Sequence, residues 1–127
     1  GEGKILLMDD EHSVRTTVCK MLKHLGYEVE IASNGDEAIA LYEKAKKSGT
    51  PFDTVIMDLT IRGGMGGEET IQNLLRIDPR VKAIVSSGYF NDPIMSDYRK
   101  YGFYGVIPKP YEIEDISALL RNVMACK

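Results

Sequence analysis

Short apolar runs alternate with stretches of helical period along the whole chain. Lys4 to Met8 is a continuous apolar run that ends in Asp9-Asp10-Glu11. Val14, Val18, Met21, Leu22 and Leu25 then recur at helical spacing, and Gly26 closes the helix. Glu28-Val29-Glu30-Ile31-Ala32 alternates and predicts a second, more exposed strand near a sheet edge. Asn34 with Glu37 three residues on resembles a capping box, and Ala38, Leu41, Tyr42 and Ala45 mark the helix face behind it. Ser48-Gly49-Thr50-Pro51 breaks that helix. Thr54 to Met57 is a buried strand stopping at Asp58, and a loop with glycine at 63, 64, 66 and 67 follows. Thr70, Ile71, Leu74 and Leu75 mark a third helix that stops before Pro79. Val81 to Val85 predicts a fourth strand, leading into Ser86-Ser87-Gly88. Asn91-Asp92-Pro93 opens a polar helix that carries Tyr98 and Tyr101 and ends at Gly102. Phe103 to Ile107 predicts a fifth strand, ending at Pro108-Lys109-Pro110, and Ile113, Ile116, Leu119, Leu120, Val123 and Met124 mark the last helix.

Five alternations of strand and helix call for an α/β doubly wound parallel sheet with helices on both faces and right-handed crossovers. For five strands the flavodoxin-like (βα)5 order 2-1-3-4-5 fits best. No repeat, low-complexity tract or linker divides the 127 residues, so residues 1–127 read as a single domain.

Composition narrows the function class. A net charge of −3 argues against nucleic-acid or membrane-surface binding, which needs a basic patch. No run is long enough to span a bilayer, and the first apolar run is too short for a signal peptide, so a cytoplasmic location is expected. Cys19 and Cys126 match no metal-ligand spacing. Cys19 is expected as a small core residue, and both as free thiols. Gly1-Glu2-Gly3 has the look of a cloning remnant, as in a domain excised from a longer protein.

In open α/β sheets ligands bind beyond the carboxyl ends of the strands. Those ends carry Asp9 and Asp10, then Asp58, then Ser87 (or Ser86), then Lys109. In the 2-1-3-4-5 order they share one cleft. Clustered carboxylates repel unless a cation joins them, and hard oxygen ligands with room for water suit Mg2+. A cation, a lysine and a hydroxyl around one carboxylate suit phosphoryl transfer, with Asp58 as nucleophile.

The set Met8-Asp9-Asp10-Glu11, Met57-Asp58-Leu59-Thr60, Ser87-Gly88-Tyr89 and Pro108-Lys109-Pro110 resembles the receiver domain of two-component response regulators. The likeness runs from Lys4 to about Met124. It implies that Asp58 accepts phosphate from the phosphohistidine of a histidine kinase or phosphotransfer domain. It implies that Asp10 binds Mg2+ directly, that Asp9 acts through a water, and that Thr60 lends its backbone carbonyl. Ser87 and Lys109 would hold phosphoryl oxygens. Ser87 is preferred to Ser86 because the small Gly88 follows it directly, as in the family. The loop from Leu59 to Gly67 is most like receivers of hybrid sensor histidine kinases, with Arg62 where proline is usual. Losing the fixed φ of proline should free that loop, and Arg62 reads as a solvated loop arginine.

Two departures bear on switching. Many receivers carry an aromatic residue three before the lysine; here it is Val106. The phosphorylation-linked change is therefore expected to run mainly through Ser87 and its loop. Thr60 and Tyr89 supply no carboxylate or amide to orient water, so slow phosphoryl loss is expected, with Tyr89 as a shield. The fourth helix, fifth strand and fifth helix, with Tyr98, Tyr101, Phe103 and Tyr104, form the expected face for an output domain or partner. His12 and His24 read as surface residues. A dehalogenase-type phosphatase would need a second Asp at Thr60, and a flavodoxin's phosphate would be repelled by Asp9-Asp10-Glu11. The rival is a pseudo-receiver, a phosphorylation-independent interaction module. No turnover of an external metabolite is expected, only self-phosphorylation and autodephosphorylation.

Overall fold

The computed structural model describes residues 2–88 and 92–125. The elements are β1 (Lys4–Met8), α1 (His12–His24), β2 (Glu28–Ala32), α2 (Gly35–Lys47), β3 (Thr54–Asp58), α3 (Gly67–Ile77), β4 (Ala83–Ser87), α4 (Pro93–Ser96), a 3-10 turn (Tyr98–Tyr101), β5 (Gly105–Pro108) and α5 (Ile113–Ala125). The five strands form one parallel sheet in the order β2-β1-β3-β4-β5. This is the doubly wound, flavodoxin-like arrangement that the alternating pattern predicts.

Strand alternation divides the core into two layers. Leu6, Met8, Val55, Met57, Ala83 and Val85 face one way and pack on α2 and α3 through Ala38, Tyr42, Ile71 and Leu74. Ile5, Leu7, Ile56, Ile84 and Ile107 face the other way and meet Val18 and Leu22 of α1 and Ile116, Leu120 and Val123 of α5. β3 and β4 are buried at every position, as expected of strands covered on both faces. β2 and β5 are the edge strands, and Ile31 of β2 is the exposed large hydrophobic residue among those described.

Several local expectations change. β4 and β5 each begin two residues later than the apolar runs suggest. Val81 and Phe103 are buried, but as entry segments that pack before the ladders start. The predicted fourth helix is broken. Asp92 caps Ile94 N–H and Pro93 fills the first helical position, yet the α-helix ends at Ser96 and a 3-10 turn follows. The Ser96 hydroxyl donates to the Pro93 carbonyl, one of the local side-chain bonds by which serine competes with helix extension. Gly102 (φ 100°) closes the segment in the left-handed region.

At α2 the Asn34 side chain accepts from Glu37 N–H as expected, but the Glu37 carboxylate bonds the N–H and hydroxyl of Ser33 rather than Asn34. Cys19 is half-buried and stands outside both core layers, not in the core. Its position in α1 turns it toward the helix flank, beside the inward-facing Val18 and Leu22. Cys126 lies outside the described residues. Among those residues no helix is long and apolar enough to cross a membrane.

Candidate functional site

The carboxyl ends of β1, β3, β4 and β5 stand side by side, and alternation sets the direction of each group. Asp9 continues the Ile5–Leu7 face and Asp58 the Ile56 face, so both point to the α1 and α5 side. Lys109, one residue past β5, reaches back between them. Its Nζ lies 2.7 Å from Asp9 Oδ2 and 2.9 Å from Asp58 Oδ2. The Lys109 N–H donates to the Ser87 carbonyl at 3.1 Å, extending the β4–β5 ladder to the site, and the Lys109–Pro110 bond is cis.

The groups differ in exposure, and this separates their roles. Asp9 is fully buried, and its Oδ1 accepts Glu11 N–H at 2.9 Å where α1 begins. Asp58 is 5% exposed and Ser87 1%. Asp10 is half-buried, and its Oδ2 accepts Arg62 N–H at 3.0 Å. Thr60 is exposed, with its N–H directed at Asp58 Oδ1 over 3.4 Å. Asp10, Asp58, Thr60, Arg62, Ser87 and Lys109 line a cleft of about 340 Å³, whereas Asp9 lies beneath its floor. Asp9, Asp10 and Asp58 each offer an oxygen within 4.8 Å of the others.

Electrostatics follow from this packing. Burial raises the Asp58 pKa, Lys109 opposes that rise, and the Asp9 charge adds to it. Burial also disfavours the Lys109 charge, but contact with Asp9 and Asp58 outweighs it and holds the ammonium firmly protonated. Three carboxylates against one lysine leave an acidic, all-oxygen donor set that suits a hard divalent cation. Of the three clustered acids, Asp10 and Asp58 line the cleft, with Glu11 beside them.

The glycine loop is shaped by backbone proximity. A Cβ on Gly66 would sit 2.6 Å from the Leu59 carbonyl oxygen, and one on Gly67 3.0 Å from the Asp58 carbonyl oxygen. Gly67 N–H donates to the Leu59 carbonyl. The start of α3 thus lies directly on the chain leaving β3. Gly63 alone in this loop needs positive φ, 70°. The Met65 carbonyl accepts Gly35 N–H, tying the loop to α2.

A family model described as "Response regulator receiver domain" matches residues 5–121. The chain belongs to this receiver family. It is 35% identical over 113 residues to a response regulator receiver protein of Anaeromyxobacter sp., covering 89% of this chain and 45% of that one, so it spans less than half of that relative. It is 31% identical to the chemotaxis protein CheY of Thermotoga maritima, covering 94% of this chain and 96% of that one. The receiver domain of a Pseudomonas aeruginosa PAO1 sensor histidine kinase superposes with a TM-score of 0.85, 20% identity and coverage of 99% and 100%. That structure holds magnesium in its active site cleft, and at this identity the likeness establishes the fold.

Within the receiver, Val106 is half-buried against the α2–α3 layer, whereas Tyr104 packs on the opposite layer. Tyr104 therefore does not replace the missing aromatic. Phe103 is core, and Tyr98 and Tyr101 are half-buried against the same layer, so the expected aromatic patch is largely packing. His12 and His24 are exposed. Tyr89 and Asn91 lie outside the described residues. Sequence reasoning missed two features. One is the Arg62 backbone amide on Asp10, which residue identity signals only through the absence of proline. The other is Tyr111, buried beneath the site with its hydroxyl bonded to Ser86. The hint was a second serine, Ser86, beside Ser87 at the end of an apolar strand, with an aromatic directly after Lys-Pro.

Proposed function

We propose that this receiver is a phosphoacceptor switch in which Asp58 takes a phosphoryl group from a phosphohistidine. The observation that carries this reading is Asp58 itself: a nearly buried carboxylate at the end of the central strand, open only to the cleft, sharing Lys109 with Asp9. A carboxylate oxygen of Asp58 attacks phosphorus, the P–N bond to the imidazole breaks, and the imidazole leaves with the bond pair. Lys109 moves from carboxylate to phosphoryl oxygen, offsetting the charge placed beside Asp9. The Ser87 hydroxyl donates to another phosphoryl oxygen. Asp10, Asp58 and the Thr60 carbonyl would hold Mg2+, with the buried Asp9 supporting the site from behind. When bound, the cation neutralises charge on the phosphoryl oxygens and on the clustered acids.

The donor is a histidine kinase or phosphotransfer domain, and the α4–β5–α5 face addresses an output domain or partner in the cytoplasm. Residues 1–127 act as one receiver domain, and the likeness of the loop from Leu59 to Gly67 to receivers of hybrid sensor histidine kinases supports an origin in such a kinase. The full-length gene product tests that placement, since a kinase core upstream is expected. For the chemistry, acetyl phosphate with Mg2+ should add one phosphoryl group, lost in Asp58→Asn. An unchanged mass in the parent chain would instead assign it as a pseudo-receiver.

A further inference from the structure

The receiver chemistry uses Lys109 but does not say what fixes it. A lysine reaches its target on a flexible four-carbon stem, so its placement depends on the backbone that carries it. Before Lys109, that backbone is held by the β5 ladder and by the Lys109 N–H bond to the Ser87 carbonyl. After it, Pro110 has no N–H, and α5 begins only at Ile113. The next hold is the side chain of Tyr111. It is buried in the apolar layer that includes Ile5, Leu7, Ile84 and Ile107, and its hydroxyl donates to Ser86 Oγ. Ser86 is fully buried, and it is the register partner of Asp58 on one side and of Ile107 on the other. Its hydroxyl therefore stands on the same sheet face as the Asp58 carboxylate. The phenol is also within electrostatic reach of Lys109, Asp9 and Asp58. Burial keeps it a neutral donor, with its pKa pushed up to about 12.

We propose that the buried Tyr111–Ser86 hydrogen bond is a positioning device for Lys109: it fastens the chain beyond β5 to β4 and so holds the ammonium between Asp9 and Asp58. An apolar ring in the same place would fill the space but leave the loop free to slide along the apolar layer. The hydroxyl pair sets the distance along the strand, because both partners are desolvated and have no water to turn to.

The kinetic part of the test rests on Asp58 as phosphoacceptor; the structural part does not. Phosphorylation by acetyl phosphate is followed in the parent chain, in Tyr111→Phe, and in the double variant Tyr111→Phe with Ser86→Ala. Displacement of the ammonium by a fraction of an ångström should slow Tyr111→Phe about tenfold, while Mg2+ affinity by calorimetry stays within about twofold. The double variant removes both hydroxyls of the pair, so neither is left buried without its partner. It should regain stability to urea yet stay slow, because the fastening is still missing. A parent-like rate in Tyr111→Phe overturns the proposal, as does a rate restored in the double variant, which would assign the pair to stability alone. If the parent chain itself gains no phosphoryl group, the functional reading fails, and the side-chain NMR signals of Lys109 decide this one. They should shift in both variants; unchanged signals reject the positioning role.

Discussion

Replacing Gly66 by alanine tests whether the β3–α3 loop is glycine-rich for space rather than for backbone freedom. Gly66 has φ −91° and ψ −174°, which alanine adopts without strain. The conflict is purely steric: the added Cβ would lie 2.6 Å from the Leu59 carbonyl oxygen, about 0.8 Å inside ordinary contact. That oxygen is backbone and cannot rotate away. It also accepts Gly67 N–H, while Leu59 N–H is held by the Ser86 carbonyl. Relief therefore moves either the first turn of α3 or the residue that follows Asp58. Overpacking of this kind costs about 1–3 kcal/mol, and loss of the Gly67–Leu59 bond about 1 kcal/mol more. Together these predict a loss of about 2–4 kcal/mol, or a urea midpoint lowered by about 1–2 M at a typical slope. Phosphorylation by acetyl phosphate should slow at least about tenfold, since the shift is passed to Thr60 and Asp58. Gly63 is the control. Its Cβ would meet nothing, but its φ of 70° is left-handed. Gly63→Ala should cost about 1–2 kcal/mol, with Gly63→Asn costing less. Parent-like stability and rate in Gly66→Ala, with damage only at Gly63, would refute the steric account.

Other expectations follow from single contacts. Arg62→Pro removes the amide that holds Asp10 and should cost about 1 kcal/mol by urea denaturation, whereas Arg62→Ala keeps the amide and should cost almost nothing. Asp10→Asn should weaken Mg2+ binding at least about tenfold by calorimetry, and chelation with EDTA should stop phosphoryl gain. Burial opposes the Asp78 charge, but the Tyr42 hydroxyl and the Arg80 N–H outweigh it and hold its pKa below normal. A depressed carboxylate stabilises the fold above its unfolded value and loses that contribution as pH falls through its folded value. Urea midpoints of the parent and Asp78→Asn should thus converge below about pH 4 and separate above it.

The elements were legible because burial imposes short apolar runs on strands and a helical stripe on helices, and the strand order because five alternations leave few topologies. Asp9, Asp10, Asp58, Ser87 and Lys109 were legible as strand-end residues for the same reason. The boundaries of β4 and β5 were not, since Val81 and Phe103 are as apolar as strand residues and pack without joining a ladder. The break at Ser96 and Asp97 depends on local side-chain hydrogen bonds that hydrophobic spacing does not register. Cys19 was misplaced because apolar character and neighbouring core residues do not fix which side of a helix a small residue occupies. The contacts Arg62–Asp10 and Tyr111–Ser86 join positions 52 and 25 residues apart. Such pairings are settled by the folded backbone, so no local pattern announces them.

Three clustered acids, two of them sharing one ammonium, also give the domain a built-in gauge. In the absence of a cation the folded chain carries their mutual repulsion, and the unfolded chain does not. Anything that binds only the folded cluster stabilises the whole domain, by about 2.7 kcal/mol at a hundredfold excess over its dissociation constant, and so raises its melting temperature. The protein has no tryptophan to report on the cleft by fluorescence quenching. Its thermal transition can serve instead, registering occupancy of the acidic cluster from any distance in the fold.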